Sequence, residues 1–139
     1  MPNVHISLLS EASRPLLNKF YRQHRSTMRA SGEGQLWVLR DEEIVAGMSL
    51  TPVEQGHWLT GLFVAPLSRG QGLARRLIEQ ALQETPGPVW LFCHPDLEAF
   101  YQCLGFTRDP RLPPPLAERL ARYQRSKPLL AMASRDGRA

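Results

Sequence analysis

The chain of 139 residues is short of several things, and each shortage excludes a class of protein. It has two cysteines, Cys93 and Cys103, too few for the disulfide framework of a small secreted domain. Each stands in an apolar context and is expected to be a buried thiol. No apolar run approaches the roughly 18 residues that a membrane span needs. MPNVHISLLS lacks the basic and apolar stretches of a secretory leader, so a cytoplasmic domain is expected. The four histidines, at 5, 24, 57 and 94, show no HxH or HExxH spacing, and no metal is expected. The longest basic pair is Arg75-Arg76, and there is neither an internal repeat nor a linker. Residues 1–134 therefore read as one domain, with 135–139 as a frayed tail.

What is present is an ordinary globular composition, 42% hydrophobic and 22% charged, with enough apolar residues for a core. Seventeen Lys and Arg against thirteen Asp and Glu give +4, with arginine dominating, a mild bias toward acidic ligands or nucleic acid. Val4–Leu9 reads as a short strand. Ser13 can cap a helix that carries Pro15 in its first turn and Leu16, Leu17, Phe20, Tyr21 and His24 at helical spacing. Residues 26–34, STMRASGEG, form a polar loop. QLWVLR (35–40), IVAGMSLTPV (44–53) and HWLTGLFVA (57–65), separated by short polar turns, predict an antiparallel meander.

From Gly72 the period changes. Leu73, Ala74, Leu77, Ile78, Ala81 and Leu82 form a helical stripe, which Thr85-Pro86-Gly87-Pro88 stops. VWLFC (89–93) reads as a strand covered on both faces, giving a strand–helix–strand unit whose second strand runs parallel to the first. Asp96 can cap a helix burying Leu97, Phe100, Tyr101 and Leu104, and Gly105 ends it. A strand begins at Phe106-Thr107. A short helix with Leu116, Leu120 and Tyr123 inward follows Pro113–Pro115, and PLLAMA (128–133) closes the sheet.

SRGQGLARR (68–76) therefore lies between a strand and a helix, where orphan N–H groups and the helix dipole favour an anion. The phosphate loop of NTPases is excluded because no Lys-Ser or Lys-Thr pair follows. The dinucleotide fingerprint fails at its third small position, Arg75, and lacks an acidic residue where Leu91, Phe92 and Cys93 stand. The hexad Arg69-Gly70-Gln71-Gly72-Leu73-Ala74 instead resembles [R/Q]-x-x-G-x-[G/A], the acyl-CoA pyrophosphate loop of the GNAT superfamily of N-acetyltransferases. About thirty residues on, AFYQCLGF (Ala99–Phe106) resembles that family's [F/L]-Y-x-x-x-G-F segment. The element order is similar to the family fold from end to end, with an unusually short segment between the first helix and the second strand.

The resemblance implies an α/β (α+β) fold, a twisted, mostly antiparallel mixed sheet of about six to seven strands flanked by helices, in the order β-α-β-β-β-α-β-α-β-α-β. It implies an acyl-CoA-dependent N-acetyltransferase that passes an acetyl group from acetyl-CoA directly to a primary amine of a small molecule, peptide or protein. The backbone of Leu62, Phe63 and Val64 would pair with the pantetheine arm. The N–H groups of Arg69, Gly70, Gln71, Gly72, Leu73 and Ala74 would cradle the pyrophosphate, with Arg75 reaching the phosphates. His94 stands where relatives carry an asparagine that contacts the cofactor, and Tyr101 corresponds to the general acid.

Direct transfer also needs a neutral amine, since a free lysine-like amine has a pKa of about 10.4. Relatives often place Glu or His on the strand before the loop. Counting alternate positions back from Val64 finds Thr60 and Trp58, with His57 out of phase and on the opposite face. Thr60 could hold a water, while His57, Glu54 and Glu33 are the candidate bases. A Cys93-His94 nucleophilic dyad is disfavoured, because successive strand side chains point to opposite faces. The missing strand carboxylate keeps a non-catalytic acyl-CoA-binding module as the alternative. A basic nucleic-acid binder lacks the required stripe of cations interleaved with aromatics. A homodimer is left open, and no membrane partner is expected.

Overall fold

The computed structural model describes residues 4–30 and 32–134, so the tail 135–139 lies outside the described residues. The elements run β1 (His5–Leu9), α1 (Arg14–Gln23), β2 (Gln35–Asp41), β3 (Glu43–Val53), β4 (Gly56–Val64), α2 (Leu73–Glu84), β5 (Val89–Cys93), α3 (Glu98–Gln102), β6 (Phe106–Arg108), α4 (Pro114–Gln124) and β7 (Leu130–Ser134). This is the order expected from the sequence. Hydrogen bonding orders the strands β1-β2-β3-β4-β5-β7-β6 in a seven-stranded mixed sheet. β4 and β5 pair in parallel, as the strand–helix–strand reading requires. The pairings of β1 with β2, β2 with β3, β5 with β7 and β6 with β7 are antiparallel. Among the described residues no helix is long and apolar enough to cross a membrane.

Contacts divide the chain into two compact units. The first is the chain up to Thr51 together with Leu59–Thr85. Here α1 buries Leu17, Phe20 and Tyr21 against Leu36, Val38 and Ala65, with Phe63, Ile44 and Val45 packed alongside. The approach is close: a Cβ on Gly47 of β3 would stand 2.6 Å from Leu17 Cδ1, so glycine lets the helix seat on the strand. Leu36, Trp37, Val38 and Leu39 are all buried, so both faces of β2 are covered. Period two puts Leu36 and Val38 on the α1 side. α2, which buries Leu73, Leu77, Ile78 and Ala81, packs against the same strand.

The second unit comprises Pro52–Trp58 and the chain from Pro86 onward. It opens with the first residues of β4, which pair His57 with Val89 and Trp58 with Trp90. Trp90, Leu116 and Ala133 form its buried cluster, with Trp58, Phe92, Val53 and Leu112 packed around it. The Trp90 indole N–H donates to the Arg111 carbonyl at 3.1 Å.

Four details differ from the sequence reading. Ser13 does not cap α1 with its side chain, because a 3₁₀ turn at Glu11–Ser13 runs straight into the helix. Its hydroxyl is instead 3.1 Å from that of Ser10. Asp96 is not the cap before α3: His94 Nδ1 accepts the Asp96 N–H at 3.0 Å, closing a 3₁₀ turn over Pro95–Leu97. Leu97, within that turn, is 47% exposed rather than buried. Cys93 is buried but Cys103 is exposed. Cys103 follows Tyr101 by two positions, about 200° around a helix, so turning Tyr101 inward turns Cys103 outward.

Candidate active site

In the first unit the chain leaves β4 at Val64, makes a 3₁₀ turn over Pro66–Ser68 and enters α2 at Leu73. Gly70 and Gly72 both lie in the left-handed region, with φ of +81° and +75°. An L side chain is strained there. A Cβ at either position would meet nothing within 4 Å, so backbone conformation, not crowding by the protein, asks for glycine. The space beside this turn is free for a ligand to approach the backbone.

The N–H groups of Gly70, Gln71, Gly72, Leu73, Ala74 and Arg75 have no backbone acceptor among the described residues; the first helical bond is Arg76 N–H to the Gly72 carbonyl at 3.1 Å. Six donors without a backbone acceptor, at the positive end of a helix of twelve residues, offer an anion-binding turn. Arg69 stands differently from the sequence expectation. Its own N–H is turned to the Pro66 carbonyl at 3.4 Å, so the free donors begin at Gly70. Its Nε donates to the Val64 carbonyl at 2.9 Å, and its guanidinium lies 5.1 Å from the Phe63 ring centroid. Arg69 thereby ties the turn to the end of β4. Arg75 is half-exposed and pairs with Glu79 at 3.3 Å, one helical turn on.

β4 holds a feature that sequence reasoning passed over. Gly61 sits at φ +70° in mid-strand, and the buried Tyr21 hydroxyl donates to its carbonyl at 2.6 Å. A Cβ there would stand 2.9 Å from that hydroxyl oxygen. The signal was present, since an isolated glycine in HWLTGLFV marks a bulge or close approach. The consequence is a correction: alternate faces cannot be counted from Val64 back to Thr60 and Trp58 across Gly61. Alternation does hold before it, where His57 pairs with buried Val89 and Trp58 with Trp90 on the other face. Thr60 is half-buried, and beyond the glycine Phe63 packs edge-on to Phe20 and Tyr21.

The second unit carries Tyr101, His94, Cys93 and His57. Tyr101 is 6% exposed, with its ring against Phe100 and Phe106 at 5.0 and 5.7 Å between centroids. Its hydroxyl makes no hydrogen bond among the described residues. Burial, and then the nearby Cys93, push its pKa up to about 12, so the proton stays on throughout the physiological range. The Cys93 thiol is also raised, by burial first and Glu98 second, and lies 3.8 Å from Met132 Sδ. That is the setting of a buried neutral thiol, not of an activated nucleophile. His94 is exposed, and because its Nδ1 accepts from Asp96, its neutral form carries the proton on Nε2 as a free donor. Glu33 and Glu54 stand exposed in a loop and a turn.

His57 has a buried Nδ1 with no hydrogen-bond partner among the described residues, and burial lowers its pKa below the ordinary 6.5. The imidazole is therefore neutral, the form a base needs, at pH 7. The sign for stability follows from linkage. Below pH 6.5 the unfolded chain takes up a proton that the folded chain accepts only at lower pH, so stability present above 6.5 is lost as pH falls. The urea midpoint is expected to drop between about pH 7 and about pH 5, and His57→Gln to flatten that slope. An unchanged slope in the variant would assign the pH dependence to other groups.

A family model described as an acetyltransferase (GNAT) domain matches residues 32–108. No curated protein sequence matches the chain. Among solved structures it is similar to the ribosomal-protein-S18-alanine N-acetyltransferase of Escherichia coli, with TM-score 0.69 and 18% identity over 94% of this chain and 92% of that one. It is similar to Escherichia coli ElaA, with TM-score 0.66 and 16% identity over 95% and 99% of the two chains. It is also similar to YhbS of Escherichia coli, a GNAT family N-acetyltransferase solved in complex with CoA, with TM-score 0.66 and 18% identity over 96% and 81%. At these identities the likeness to the solved structures is one of fold.

Proposed function

The chain belongs to the GNAT acetyltransferase family, and from that premise we propose that it transfers an acetyl group from acetyl-CoA to a primary amine by direct attack in a ternary complex. The observation that carries this reading is the run of unpaired N–H groups from Gly70 to Arg75, following β4 and opened by two left-handed glycines. A pyrophosphate fits such a cradle by charge and by the free space at both glycines. CoA in the YhbS structure supports the same ligand class. When bound, acetyl-CoA supplies an activated acyl carbon and a thiolate leaving group.

The chain's own residues have three tasks. Residues 70–75 hold the phosphates, and the β4 backbone at Leu62 and Phe63 pairs with the pantetheine arm. The Val64 carbonyl already accepts from Arg69, so less of it is free for that pairing. The new bond joins the amine nitrogen to the acyl carbon as the carbon–sulfur bond breaks. Tyr101 donates its hydroxyl proton to the departing sulfur, and either His57 or a water held by Thr60, which lie on opposite faces of β4, removes a proton from the amine. His94 Nε2 offers a further donor to the cofactor.

The test is thermal. At a hundred times Kd, CoA or acetyl-CoA should stabilise the protein by about 2.7 kcal/mol, or roughly 2–8 °C for a chain of this size. No shift with either ligand would remove the reading. A second reading, an acyl-CoA-binding module without turnover, is favoured by one observation: β4 carries no carboxylate. Thiol release across a panel of amines separates the two.

A further inference from the structure

A cleft of about 380 Å³ opens in the first unit between the last turns of α1 and the loop that follows, lined by Asn18, Arg22, Ser26, Thr27, Met28 and Arg29. Its walls are built by local bonds. The chain reverses at Arg25, whose φ is +58°, and Ser26 N–H returns to the Tyr21 carbonyl at 2.9 Å. Asn18 Oδ1 then accepts the Ala30 N–H at 2.9 Å and Ser26 Oγ the Met28 N–H at 3.2 Å, holding the loop along the helix.

Two arginines and no acidic residue line the cleft. Arg14, Arg75 and Arg108 each find an acidic partner, whereas Arg22 and Arg29 have none within 4 Å among the described residues. Planar forks of this kind match the oxygens of a carboxylate or phosphate, and the hydroxyls of Ser26 and Thr27 can add donors. The cleft also abuts the strand. The Arg29 carbonyl oxygen lies 3.9 Å from where a Cβ on Gly61 would stand, and Tyr21, from the helix beside it, bonds the Gly61 carbonyl. Gly61 immediately precedes Leu62–Val64.

We propose that this cleft recognises the anionic group of the acceptor, so that the substrate is an amine bearing a carboxylate or a phosphate a few bonds away. The assignment rests on the acetyl-transfer reading above. The oxyanion sits between Arg22 and Arg29, and the amine extends past Gly61 toward Leu62–Val64. A neutral amine leaves both cations unanswered, and a polycation meets repulsion.

The test uses 4-aminobutanoate and O-phosphoethanolamine as anionic probes, with butylamine and spermidine as controls. Thiol release from acetyl-CoA and equilibrium binding to the CoA-loaded protein are both measured. An anionic probe should exceed the controls about tenfold or more in kcat/KM, or in affinity where turnover is absent. The Arg22→Gln/Arg29→Gln double variant should raise its KM or Kd roughly 10–100-fold, with the CoA-induced thermal shift unchanged. Which probe prevails separates carboxylate from phosphate. Equal or better use of butylamine or spermidine, binding of neither anionic probe, or no effect of the double variant overturns the proposal. Absence of a CoA shift in the wild-type protein strikes the transfer reading itself, and the assignment of the cleft to an acceptor falls with it.

Discussion

Tyr101→Phe is expected to lower kcat for acetyl transfer about 100-fold or more while leaving CoA binding and the fold intact. The structure makes this a clean substitution. The Tyr101 hydroxyl makes no hydrogen bond among the described residues, and phenylalanine keeps the ring contacts to Phe100 and Phe106. The unfolding midpoint should therefore move by little. The catalytic cost comes from the proton. Burial holds the phenol near pKa 12, so Tyr101 is always in its donor form. A free thiol titrates at about 8.5, and complete transfer between these two values would run uphill by about 5 kcal/mol. The phenol thus begins as a hydrogen-bond donor to the sulfur and yields its proton only as charge accumulates there. The same pKa predicts that the rate shows no alkaline loss attributable to Tyr101 below pH 10, two units under about 12. Full turnover by a folded Tyr101→Phe protein would remove the general-acid role.

Gly72→Asp is expected to weaken CoA binding by about 100-fold or more with only a modest loss of stability. At φ +75° an L residue is strained by roughly 1–2 kcal/mol, though aspartate visits this region more readily than most. No protein atom lies within 4 Å of the new Cβ, so no clash is added. What changes is the charge: a carboxylate now stands at the positive end of α2, where it competes with the phosphates for the same N–H groups. Calorimetric titration with CoA, beside a thermal melt without it, separates the effects. Gly72→Ala introduces comparable strain without charge and should fall between the two. If Gly72→Asp binds CoA as the wild type does, the turn is not the pyrophosphate site.

The sequence by itself determined the element order, the parallel strand–helix–strand unit and the two motifs, RGQGLA and AFYQCLGF. These are legible because they depend on short-range physics. Periodicity sorts helix from strand, Thr85-Pro86-Gly87-Pro88 ends a helix, and a glycine turn before a helix leaves donors unpaired wherever the rest of the chain lies. The same locality explains the errors. Reading Asp96 as a cap was sound by composition, yet His94 two residues earlier took that place. The Arg69 N–H was expected among the cradle donors, but the 3₁₀ turn before it supplies the Pro66 carbonyl as its acceptor.

Only the tertiary structure decided what each donor and each face would meet. Tyr21 and Gly61 are forty residues apart, and although the glycine marks a close approach, nothing in the sequence names Tyr21 as the partner. That bond fixes α1 to the mid-strand glycine and brings the Arg29 loop alongside it. Tyr101 is a conspicuous residue in the sequence, but the burial that keeps its proton on comes from packing alone. Arg22 and Arg29 are two arginines among many until the chain turns at Arg25 and sets both on one cleft. Charge and spacing are written along the chain, whereas desolvation and pairing depend on neighbours distant in sequence that arrive only on folding.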